Sequence, residues 1–139
     1  MKRSILFTFL LACSPAIAAA DTITLPPGLW SYQGTAQMGL ARLDDAGTEC
    51  MRPGQSTYDL NKVAASIAPG CALTGATSLG NGVAFSVMCT GSVKGELDGT
   101  FQFTDTSASL TAKGWTGDPG APVDLSVAAS ADRVSDTCS

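Results

Sequence analysis

The stretch Val93-Lys94-Gly95-Glu96-Leu97-Asp98-Gly99-Thr100-Phe101-Gln102-Phe103-Thr104 decides the fold class. Val93, Gly95, Leu97, Gly99, Phe101 and Phe103 alternate with Lys94, Glu96, Asp98, Thr100, Gln102 and Thr104. Successive side chains of an extended chain point to opposite faces, so this run reads as an antiparallel strand with one face buried and one in water. The same period recurs in Trp30, Tyr32, Gly34, Ala36 and Met38, in Val83, Phe85, Val87 and Cys89, in Val123, Leu125 and Val127, and more weakly around Leu110 and Ala112. Gly, Pro and Asn punctuate the runs. Short strands at such spacing predict a mainly β domain, a single antiparallel sheet whose meander closes into a barrel or sandwich.

One short helix is expected to interrupt the sheet. Ser56 is read as its N-cap with Asp59 three positions on, Tyr58, Leu60, Val63, Ala64 and Ile67 form a loose apolar stripe, and Pro69-Gly70 ends it.

Residues 1–20 read as an export signal and stand apart from the fold. Met1-Lys2-Arg3 is its charged start, Ser4 to Ala12 a mostly apolar stretch too brief for a ~30 Å hydrocarbon core, and Ala18-Ala19-Ala20 the small-residue cleavage pattern before Asp21. Residues 21–139 are then a single disulfide-linked β domain, periplasmic or secreted. With Lys2 and Arg3 removed, six basic side chains face twelve acidic ones, a formal charge of −6. The competing reading takes Leu10-Leu11-Ala12-Cys13 as a lipoprotein box with Cys13 lipidated. No later segment approaches transmembrane length.

Four cysteines remain, Cys50, Cys71, Cys89 and Cys138, an even number in a small exported domain, which points to two disulfides. A four-thiolate metal site would want closely spaced pairs such as C-x-x-C, which the sequence lacks. Strand parity suggests the pairing. Opposed residues of an antiparallel hairpin share a face and their numbers have a constant sum. A two-residue Asn81-Gly82 turn would oppose Leu73 with Thr90 and Ser78 with Phe85, mixing polar with apolar. A three-residue loop at Leu79-Gly80-Asn81, with Gly or Asn in the left-handed position, opposes Leu73 with Val87, Gly75 with Phe85 and Thr77 with Val83. Cys71 then faces Cys89, and by elimination Cys50 pairs with Cys138.

Pro27-Gly28-Leu29-Trp30, Cys50 followed by Pro53, the Cys71 to Cys89 hairpin followed by Thr90-Gly91, and the terminal Arg133 to Cys138 segment together resemble a family of small exported bacterial proteins known as a domain of unknown function, number 3617. The resemblance spans essentially the whole exported chain, and the order and spacing of the four cysteines carry it. Asp136-Thr137 departs from the family pattern, which has a Gly just before the last Cys, and the strands here hold fewer Met. The resemblance implies an exported β domain and brings no catalytic residues.

Composition narrows the chemistry. With no histidine among 139 residues, Ser-His-Asp and Cys-His catalysis, His-containing zinc sites and a histidine pH switch are excluded. Eight Lys and Arg against twelve Asp and Glu, without a basic cluster, argue against nucleic acid. Glu96 and Asp98 share a strand face at a spacing usable in glycoside hydrolysis, yet Lys94, Thr100 and Gln102 beside them describe a solvated surface. Asp44, Asp45 and Glu49 lack the loop pattern of a Ca²⁺ site and read as a solvated turn. Asp132 and Arg133 read as surface contacts of small value. Trp30 and Trp115 are the candidate binding residues. Trp30, in phase with Tyr32 and Met38, also fits core filling, while Trp115 beside the Gly117-Asp118-Pro119-Gly120 turn fits a rim.

The functional expectation is a non-catalytic periplasmic or secreted binding module, a monomer without cofactor or metal. Its partner would be an envelope component, a small apolar ligand or a protein, including a basic hydrolase steered by the −6 charge. A carboxylate-dependent hydrolase such as a glycosidase is the alternative. Mass spectrometry of the exported protein is expected to find Asp21 at its N-terminus; a lipidated Cys13 would overturn the soluble localisation.

Overall fold

The computed structural model describes residues 21–138, so the reading of residues 1–20 as an export signal and its Cys13 alternative lie outside the described residues. Within them the chain runs β1 (Thr22–Thr24), β2 (Gly28–Met38), β3 (Ala41–Met51), β4 (Thr57–Asp59), α1 (Leu60–Ile67), β5 (Cys71–Leu79), β6 (Gly82–Thr90), β7 (Lys94–Phe103), β8 (Ser107–Asp118) and β9 (Ala121–Ser135). Strands β5 to β9 form an antiparallel meander, β2 joins it beside β9, and β3 lies outside β2, giving the order β3-β2-β9-β8-β7-β6-β5. The expected mainly β domain with one short helix and two disulfides is what the chain forms. Closure into a barrel or sandwich is not: β3 and β5 do not pair, and the seven-stranded sheet stays open. A separate two-stranded ladder joins β1 to β4.

Strand β3 has no apolar alternation and exists because β2 templates it. All eleven of its residues pair with β2 across the two-residue turn Gly39-Leu40. Gly39 takes φ +59 there, the first central position that a type II′ turn reserves for glycine. Strand β7 follows its alternation from Lys94 on, while Val93 lies in the loop before it, 43% exposed.

The hairpin of β5 and β6 keeps the expected register at one end only. Cys71 faces Cys89 and Leu73 faces Val87, but a bulge between Leu73 and Gly75 shifts the rest, so that Ala76 faces Phe85 and Ser78 faces Val83. Thr74 is the extra residue. The bulge lets a two-residue Gly80-Asn81 turn replace the three-residue loop, and neither turn residue needs a positive φ. Helix α1 also starts later than expected. Thr57–Asp59 is extended against β1, so Asp59, not Ser56, is the N-cap, its carboxylate accepting the Asn61 amide at 2.9 Å. The Asp21 carbonyl takes the Leu60 amide at 2.7 Å.

The disulfides join Cys50 to Cys138 and Cys71 to Cys89. The first ties β3 to the tail after β9 and the second ties β5 to β6, so each open edge of the sheet is cross-linked. From separations of 88 and 18 residues, chain entropy assigns them roughly 4.6 and 3 kcal/mol.

Three small apolar clusters make the core: Ile23, Leu60 and Val83; Leu25, Trp30 and Ala108; and Ala64, Cys71 and Val87. Phe101 and Phe103, with ring centroids 5.7 Å apart, pack on the first two. Arg133 is half-buried, not a simple surface contact: its Nε and Nη2 both donate to the Pro27 carbonyl, at 2.8 and 2.5 Å. The Phe85 ring lies across Gly99, where a Cβ would come within 2.5 Å of Phe85 Cζ and 2.9 Å of Ala112 Cβ. Gly99→Val is therefore expected to destabilise the domain by about 1–3 kcal/mol in a denaturant titration; unchanged stability would mean that this ring packing is loose.

Candidate functional site

Leu73 of β5, Phe85 and Val87 of β6, Leu97 and Phe101 of β7, and Leu110 of β8 project from one face of the sheet. Opposite them α1 presents Leu60, Val63, Ala64 and Ile67, spaced three and four apart on one side of the helix. These side chains do not meet. They enclose a cavity of about 430 Å³, whose lining is completed by Ile23, Leu25, Met51 and Tyr58. Leu60 and Ala64 are buried against the core, whereas Val63 and Ile67 are 44% and 54% exposed, so the helix side of the cavity is open to solvent.

Tyr58 carries the one hydroxyl in this lining. It donates toward Met51 Sδ at 2.9 Å. Burial raises the phenol above its ordinary value of 10.0, and the negative charge of Glu49 raises it further. Among the described residues no side-chain N or O is buried without a hydrogen-bond partner. The cavity thus offers a ligand hydrocarbon contact and almost nothing to hydrogen-bond.

A larger depression of about 540 Å³ lies near Gln33, Thr35, Arg42, Asp44 and Ser130. Its one cation is already paired: Asp44 accepts from Arg42 at 3.0 Å and from Thr35 at 2.6 Å, which holds its carboxyl below the usual range, and Asp45 adds a further exposed carboxylate to the lining. Open to water and without a free cation in its lining, it is the weaker candidate.

Neither tryptophan lines the cavity. Trp30 is 1% exposed, packed with Leu25 and Ala108, and its Nε1 donates to the Pro26 carbonyl at 3.0 Å. Trp115 is half-buried on the opposite sheet face, between Glu96 of β7 and Asp124 of β9. The four cysteines of the described residues are all consumed in disulfides. Glu96 and Asp98 also lie on that opposite face, where Asp98 accepts from Ser86 and stands across from Lys113. Asp44, Asp45 and Glu49 sit on a strand, not in a turn, and alternation sends Asp44 away from the other two. Among the described residues no three His, Cys, Asp or Glu converge as a metal site. No described helix is long and apolar enough to cross a membrane.

The site was missed in the sequence because periodicity shows which side chains turn inward, not whether they fill the space they face. A usable signal was the mismatch between five strands with apolar inward positions and a single short helix to cover them.

Fold and site together define an open antiparallel β domain with a helix-covered apolar cavity. The family model described as "Protein of unknown function (DUF3617)" matches residues 25–138, and the chain belongs to that family. No curated protein and no solved structure matches it.

The Tyr58 environment makes a pH prediction. With its folded pKa raised, neutral Tyr58 contributes stability that is complete below the unfolded value near 10.0 and lost as the pH climbs through the folded one. Ultraviolet titration should show Glu49→Gln lowering the Tyr58 pKa without restoring the ordinary value, because burial is the larger cause; no movement would separate Glu49 from the cavity.

Proposed function

We propose that this protein is a non-catalytic binding module of the periplasm or extracellular space whose cavity takes a small apolar ligand. The observation that carries this reading is the cavity of about 430 Å³, inside the ordinary range of ligand sites, between α1 and the sheet. Its lining is apolar side chains with one hydroxyl, and the side facing α1 is open to solvent, so apolar surface is left exposed there when nothing occupies it. Water is a poor occupant, since it needs two to four polar partners and the lining has one hydroxyl. A hydrocarbon ligand covers the apolar lining without needing polar partners.

The extracytoplasmic setting is supported by the charged-then-apolar start of the sequence, the Ala18-Ala19-Ala20 pattern and the two disulfides. Recognition of a basic protein rests on net charge alone. Against the carboxylate-hydrolase alternative, Asp98 accepts from Ser86 and stands across from Lys113, and neither Glu96 nor Asp98 lines the apolar cavity.

The test is binding of N-phenylnaphthylamine, whose fluorescence rises in apolar surroundings. The wild-type protein is expected to bind it, and Ala64→Phe and Val63→Trp, which fill the cavity from its base and its rim, to weaken binding by about tenfold or more with an unchanged circular dichroism spectrum. Undiminished binding by both folded variants would place the ligand elsewhere.

A further inference from the structure

The cavity is closed at one end of α1 and open at the other. Leu60, the first residue of the helix, is buried in a cluster with Ile23 and Val83, and Leu25 of the lining is buried too. Ile67, the last residue, is more than half exposed, and Val63, one turn before it, is nearly as open. Over the roughly 10 Å between those ends the lining passes from core to water.

Nothing along that path receives a polar group. Among the described residues that line the cavity none is charged, and the Tyr58 hydroxyl is already directed at Met51 Sδ. Lys62, the one charged residue of α1, lies on the side of the helix away from Leu60 and Ala64. A polar group carried to the Leu60 end would lose its hydration without a hydrogen bond in return, and a charge would lose far more. A wholly apolar ligand has the opposite fault, since its surface at the Ile67 end stays in water. Volume sets the size of the buried part. About 430 Å³, at roughly 30 Å³ for each water- or methylene-sized group, holds on the order of 14 such groups, which is one chain and not two.

Resting on the apolar-cavity reading above, we infer that the ligand is a single-chain amphiphile, its hydrocarbon chain running to the Leu60 end and its head group left in water beside Val63 and Ile67. Selection then falls on the chain, and the size and charge of the head matter little, because only the chain is buried.

Displacement of N-phenylnaphthylamine by dodecanol, dodecanoate, dodecylphosphocholine and dodecanedioate, at neutral pH and below their aggregation limits, tests this. The first three share a chain and differ in head group, and are expected to compete within about fivefold of one another. Dodecanedioate, which must bury a second carboxylate, is expected to compete about tenfold or more weakly than dodecanoate. In a folded Ile67→Asp variant, dodecanoate is expected to weaken about threefold or more relative to dodecanol, because the new carboxylate stands beside the anionic head. Dodecanedioate matching dodecanoate, dodecylphosphocholine failing where dodecanol competes, or Ile67→Asp affecting dodecanol and dodecanoate alike would each overturn the inference while leaving the cavity reading intact, as would N-phenylnaphthylamine binding that none of the four displaces. Absence of N-phenylnaphthylamine binding would instead overturn the cavity reading itself.

Discussion

An eight-residue helix cannot cover a seven-stranded sheet. At ~1.5 Å per residue α1 is about 12 Å long, while six gaps of about 4.8 Å make the sheet roughly 29 Å wide. Everything distinctive in this domain follows from that mismatch. If β3 and β5 paired, the inward side chains would cover one another. Because they do not, burial is concentrated where α1, β1 and β4 lie, and even there the helix stands off far enough to leave a cavity. Beyond its reach, Met38 and Leu43 remain 49% and 69% exposed on the same face.

An open sheet whose core is three small clusters around a cavity gains less from packing than a closed one. Chain cross-links serve that role, and their placement is informative: one secures the β3 side and the other the β5 side, the two edges that barrel closure would have joined. The edge strand β3 also carries Arg42, Asp44, Asp45 and Glu49, charges that keep an unpaired edge from recruiting further strands. The same strand supplies both the protection of the edge and, through Met51, part of the cavity lining.

Much of this architecture could be read in the sequence. The alternation in Val93 to Thr104 gave the orientation of β7, and the cysteine numbering with the apolar pairs Leu73 and Val87 located the register at that end of the β5–β6 hairpin. Other features depend on interactions that no local pattern encodes. β3 has no alternation because both of its faces are largely exposed, and pairing with β2 alone makes it extended. The shift at Thr74 and the late start of α1 reflect competition between neighbouring backbone ladders, with β4 claiming the residues that Ser56 would have capped. Arg133 resembles any surface cation until the fold brings the Pro27 carbonyl to it. The tryptophans drew attention as rare large side chains, but one completes the core and the other lies on the face away from the cavity. Site residues such as Leu97 and Leu110 look like any core residue, and only the placement of the helix distinguishes a filled interior from a receptive one.

The most direct measurement is xenon uptake followed by methyl-group nuclear magnetic resonance on the ligand-free protein, since xenon enters apolar cavities without needing polar contacts. The account predicts saturable shifts confined to methyls of the cavity lining, those of Leu60, Leu73, Val87, Leu97 and Leu110 among them, with those of Val123 and Val134 unmoved. Absent or uniformly scattered shifts would show that the interior is filled, and would contradict the claim that so short a helix leaves the sheet face receptive.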